Sequence, residues 1–96
     1  MPKSSNDYLL NLNSYDPNKL FDTVIEQLSL RNDGALSRWL GVGPPVISKM
    51  RSKKLAVGSS MLIRLHEISD ISLQDLRFLM GDDRERLFER TKNPNR

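Results

Sequence analysis

The chain of 96 residues contains no cysteine. That excludes disulfides, thiolate nucleophiles and sulfur-ligated zinc. A single histidine, His66, is too little for the nitrogen-ligated alternative. No apolar run approaches the roughly 18 residues that a membrane-spanning helix needs. The first fifteen residues hold no apolar stretch of signal-peptide length. The expectation is a soluble, cytoplasmic protein with no metal, no cofactor and no membrane contact. Acidic residues are missing from one long stretch. Between Gly34 and His66 stand six basic residues (Arg38, Lys49, Arg51, Lys53, Lys54 and Arg64) and no Asp or Glu. The rest of the chain carries nine basic and twelve acidic residues, so the net charge of +3 conceals a basic block between acidic flanks. A polyanion would meet its attraction in that block.

Strand-like alternation is also absent, as are internal repeats. A chain this short buries only about 60–65% of its unfolded surface. That suits one core and leaves no room for a deep catalytic cleft beside a cofactor domain. At 38% hydrophobic and 28% charged residues, the composition is too apolar for a disordered chain. The organisation read from the sequence is an N-terminal arm over 1–15, a folded domain over 16–81 and a charged tail over 82–96.

What is present has helical spacing. Asp16-Pro17 supplies a cap acceptor and a preset φ, and Leu20, Phe21, Val24, Ile25 and Leu28 follow on one face, predicting a helix over about 17–30. Asn32 or Asp33 caps a second helix in which Leu36, Trp39 and Leu40 are assigned to the core. Gly41 sits where a positive φ would turn the chain. Pro45 disfavours an α conformation at Pro44, so Pro44 is placed at the cap of a third helix over about 45–53. Ile47 and Met50 face inward there. Ser59 or Ser60 opens a fourth helix with Met61, Leu62, Leu65 and Ile68 apolar. Ser72 and Asp75 form a variant capping box for a fifth, which Gly81 ends. The fold class is therefore all-α, with five short helices. Tyr8, Leu9, Leu10, Leu12 and Tyr15 are expected to pack on the core or on a partner. Asp82 and Asp83 are assigned to helix capping, and Leu87 and Phe88 are the only apolar pair in the tail.

The segment Asn32 to Lys54 combines a capped helix, a glycine turn and a second short helix with basic outward residues. Two helices so joined form a helix-turn-helix, whose second helix enters the DNA major groove. The run Leu36-Ser37-Arg38-Trp39-Leu40-Gly41-Val42-Gly43, then Ile47-Ser48-Lys49-Met50, resembles the helix-turn-helix of the phage repressor family, the Cro/C1 type. Ile71-Ser72-Leu73-Gln74-Asp75-Leu76 is similar to that family's approach to its last helix. The resemblance covers about residues 17 to 81 and implies a compact five-helix lambda-repressor-like domain. It also implies base contacts from Pro44, Pro45, Val46 and Lys49, and phosphate contacts from Ser52, Lys53 and Lys54.

Three departures stand out. Pro44 and Pro45 replace polar residues, so readout there would be apolar, against a thymine methyl. Asp33 stands where the family often has a phosphate-touching Gln; a carboxylate would repel phosphate, so Asp33 is expected to point away or cap its helix. Arg51 replaces a frequent Glu, and Lys53 a frequent Gly; both add positive charge. From charge and position, Arg38, Ser48 and Arg51 join the phosphate candidates, and Lys49 is the first candidate for a guanine edge. Gly41-Val42-Gly43 follows no strand and is no dinucleotide motif. No nucleophile with a base and an orienting group is present, so the chain is not expected to be an enzyme. The sequence reading is a bacterial or phage-type regulator, a repressor by preference. It would bind double-stranded DNA as a homodimer at the nucleoid, with a regulatory protein partner possible. The alternative is the same fold used as a protein-interaction module, such as an antitoxin or adaptor.

Overall fold

Asp16 accepts a hydrogen bond at its carboxylate from the Lys19 N–H at 3.3 Å and starts α1, Pro17–Gln27. The computed structural model describes Leu10 and residues 14–82. Four more helices follow within it: α2, Asp33–Leu40; α3, Pro44–Arg51; α4, Ser59–Ser69; and α5, Leu73–Leu79. No strand occurs among the described residues. The protein is thus all-α, as the periodicity predicts. No described helix is long and apolar enough to cross a membrane.

The caps explain the boundaries. Asn32 Oδ1 accepts from the Ala35 N–H at 2.9 Å, and Ser72 Oγ from the Asp75 N–H at 3.0 Å. Each satisfies a donor that the first helical turn leaves orphaned. At the other end, Gly41 takes φ +73. Its N–H reaches the Arg38 carbonyl, and the Val42 N–H reaches that of Ser37. This paired closure is a Schellman motif. The same closure ends α1 through Ser29, α3 through Lys53 and α5 through Gly81. α1 therefore stops at Gln27 rather than near 30.

The third helix begins one residue earlier than expected. Gly43 is its cap, Pro44 its first residue and Pro45 its second. Proline in a first turn removes no intrahelical bond, and no carbonyl of a preceding turn stands in its way. The α4 helix likewise opens directly at Ser59 with Gly58 as cap.

One core joins the elements. Leu20, Phe21 and Val24 of α1 meet Leu36 of α2, Ile47 of α3, Leu65 of α4 and Leu76 of α5, with Val57 and Met80 from the connections, all fully buried. Helix α1 packs on α3, α4 and α5; α2 packs on α3 and α4; α4 packs on α5. Burying a side chain such as Ile47 contributes about 1.5–3 kcal/mol. That burial fixes the rotation of α3, and so decides which of its residues face outward.

The N-terminal boundary moves. Tyr15, read as part of an arm, is only 2% exposed and belongs to the core. Leu10 packs partly against that core. Asp82, read as the start of a tail, is buried, and its N–H donates to the Arg77 carbonyl at 2.9 Å. Tyr8, Leu9, Leu12, Asp83, Leu87 and Phe88 lie outside the described residues.

Candidate nucleic-acid interface

Helix α3 exposes Pro44, Pro45, Ser48 and Lys49, with Val46 half-buried, while Ile47 and Met50 are buried. The three-to-four spacing of the buried pair leaves the opposite face to the candidate base-reading residues. Ser52, Lys53 and Lys54, directly past the helix end, are all exposed. Ser52 Oγ donates to the Lys49 carbonyl at 3.2 Å, closing the last turn. Arg38 is exposed on α2.

The tip of α3 has an unusual donor inventory. Pro44 and Pro45 have no N–H, and the Val46 N–H is taken by the Gly43 carbonyl at 3.0 Å. What the tip offers is hydrocarbon.

Arg51 is placed differently from the sequence reading. Its Nε and Nη2 donate to the Asp33 carboxylate at 2.9 and 3.1 Å, and Nη2 also donates to Asp22 Oδ1 at 2.8 Å. Nη1 donates to Asn18 Oδ1 at 2.8 Å, and the guanidinium lies 5.7 Å from the Phe21 ring centroid. Asn18 Nδ2 in turn donates to the Arg51 carbonyl at 3.4 Å. Partial burial pulls the Arg51 pKa down, but the hydrogen bonds and charges of Asp33 and Asp22 outweigh that and leave it raised. Arg51 is a tie between α1, α2 and α3, not a cation held out for phosphate. Asp33, expected to cap α2 or point away, is its partner. Two departures that looked independent in sequence form one interaction.

A prediction follows. Arg51→Ala should destabilise the fold by about 1–2 kcal/mol, since charge-assisted bonds are lost but are partly solvent-screened. The salt dependence of any polyanion binding should stay unchanged. Denaturant unfolding and a salt titration of the variant check the two parts. A flattened salt slope with intact stability would return Arg51 to the phosphate set.

Trp39 is a second correction. It is 59% exposed, not core. The buried stripe of α2 is Leu36, Ser37 and Leu40, and Trp39 lies to one side of it. Ser37 fits the interior because its Oγ donates to the Gly34 carbonyl at 2.8 Å. Sequence reasoning also missed a role for Arg64, whose Nη1 donates to the Leu40 carbonyl at 2.6 Å and satisfies the C-terminal end of α2. Opposite charge at a helix C-terminus is the signal that could have found it. His66 Nδ1–H donates to the Ile71 carbonyl at 2.7 Å, joining α4 to the α5 approach. No group of side chains among the described residues is arranged to hold a metal ion.

The remaining cations differ from Arg51 in one respect. Among the described residues, no carboxylate lies within ion-pair distance of Arg38, Lys49, Lys53 or Lys54. The chain matches no family model, no curated protein and no solved structure.

Proposed function

We propose that the protein is a sequence-specific, double-stranded DNA-binding regulator of the Cro/C1 helix-turn-helix kind. It would read the major groove with α3 and act as a repressor by occupying its site. The observation that carries this reading is the outward face of α3 and its following turn. Lys49, Lys53 and Lys54 stand there exposed and without carboxylate partners among the described residues, while Arg51 is turned inward by its own. Solvated cations close together in the chain suit a phosphate backbone. Helix α3 is anchored by Ile47 and Met50, and an α-helix about 10–12 Å across fits a groove about 12 Å wide. Lys49 reads a guanine edge, Pro44, Pro45 and Val46 meet apolar groups, and Arg38, Ser48, Ser52, Lys53 and Lys54 hold phosphates. A homodimer on a palindrome would supply the affinity that one short helix lacks.

Selection from a random duplex library, followed by titration at several salt concentrations, tests this. Enrichment of a palindrome supports it; no binding at low salt overturns it. On the enriched site, Lys49→Ala is expected to relax preference at one base pair by about 1–3 kcal/mol. Lys54→Ala should weaken all sequences alike and flatten the salt slope by about 0.9. Equal loss on every sequence for both variants would remove the base-reading role of Lys49.

A second reading, the protein-interaction module, is favoured by a different surface. Phe78 on α5 is 64% exposed and lines a shallow groove of about 570 Å³ with Ile71, Leu79 and Gln27. An aromatic side chain beside a concave surface suits a protein partner. That reading gains if a partner protein binds and neutralising Lys49 and Lys54 leaves its affinity unchanged.

A further inference from the structure

Lys53 has φ +66, a left-handed conformation that a Cβ makes unfavourable. The turn demands it. The Lys53 N–H closes on the Met50 carbonyl at 3.2 Å and the Lys54 N–H on the Lys49 carbonyl at 2.9 Å. Glycine would make the same closure without penalty. Two other non-glycine residues share this region, Ser29 and Asp70. Both are short, whereas Lys53 adds a long cationic side chain.

That side chain is steered. Its Nζ lies 5.9 Å from the Tyr15 ring centroid. The Tyr15 hydroxyl is itself fixed, accepting from the buried Val57 N–H at 3.1 Å. A cation over a locked ring loses little further freedom on binding an anion. Lys53 is nonetheless exposed, and among the described residues no carboxylate neutralises it.

We propose that Lys53 is a preorganised phosphate-binding residue, and that its left-handed backbone is stability forgone to hold an ammonium group at that point of the interface. The inference rests on the DNA reading above and adds to it a trade between fold and ligand at one position. Ser29 and Asp70 adopt the same region, so a positive φ alone does not mark a site; what sets Lys53 apart is the long cationic side chain it carries beside Tyr15.

Wild type, Lys53→Gly, Lys53→Ala and Lys53→Arg are compared by thermal unfolding, and by titration against the duplex enriched from the library at several salt concentrations. Lys53→Gly is expected to raise Tm by about 4–8 °C, and Lys53→Ala, which keeps the Cβ, not to raise it. Both should bind the duplex about tenfold more weakly, with a salt slope flatter by about 0.9. Lys53→Arg should keep the slope. A Lys53→Gly protein that melts higher yet binds with unchanged affinity and slope overturns the phosphate role. It leaves the DNA reading intact if Lys49→Ala still relaxes specificity. An unchanged Tm overturns the trade. Absence of duplex binding by the wild type overturns both this inference and the reading beneath it.

Discussion

Gly81→Ala is expected to destabilise the protein by about 3 kcal/mol, a large share of the roughly 5–15 kcal/mol that holds a domain folded. Two effects combine. Gly81 has φ +77, where an L side chain costs about 1–2 kcal/mol. An added Cβ would also run into the Ser14 carbonyl, and backbone cannot rotate aside as a side chain can. Forced overpacking of this kind costs about 1–3 kcal/mol. The neighbourhood is bonded in place: Ser14 Oγ donates to the Gly81 carbonyl at 2.6 Å and the Asp16 N–H to the Met80 carbonyl at 2.8 Å. These bonds seat the entrance to α1 on the exit of α5. Gly43→Ala is the control, because its Cβ would meet only Pro45 Cδ at an ordinary 3.6 Å and its φ is negative. It should change stability by less than about 1 kcal/mol. Urea unfolding of both variants checks the pair; equal effects would mean that the Ser14 contact yields.

Tyr15→Phe carries the second large effect, and it depends on pH. At neutral pH it leaves the fully buried Val57 N–H without its acceptor, a loss of about 1–3 kcal/mol. In the wild type, burial pushes the Tyr15 phenol pKa up; the Val57 N–H opposes this and the charge of Asp82 adds to it. The unfolded chain ionises near its ordinary value of about 10. Below that pH both states keep the proton, and the phenol contributes no slope. Above it the unfolded chain releases the proton while the folded one retains it, so stability falls as pH rises towards the folded pKa. The fall approaches about 1.4 kcal/mol per pH unit. Tyr15→Phe has no such proton, so the gap between the two proteins should narrow above pH 10. Parallel urea midpoints from pH 8 to 11 measure it. A constant gap would show that the phenol ionises freely in the fold.

The sequence made local features legible. Asp16, Asn32 and Ser72 are caps because the acceptor and the N–H it serves are three residues apart, and Gly41 and Gly81 mark turns that few other residues can make. The inward pair Ile47 and Met50 was legible from spacing, and with it the outward face of α3. The Arg51 tie was not: its partners are 18, 29 and 33 residues away in the chain, and charge counting treats every arginine alike. Trp39 misled because a three-residue spacing from Leu36 places it at the edge of a stripe, where neighbouring helices decide the outcome. Lys53 falls between these cases. The frequent Gly that the resemblance implies at this position hints at a positive φ, but only the closed turn shows why.

The two prolines that open α3 give its tip a surface of C–H groups alone. A surface without donors or acceptors ranks bases by shape. In the major groove thymine and 5-methylcytosine present the same methyl to such a surface. If the helix binds as proposed, epigenetic marking of cytosine beneath Pro45 and Val46 would add contact instead of blocking it. The protein would then tolerate, and even prefer, modified DNA that excludes regulators reading the same pairs by hydrogen bonds.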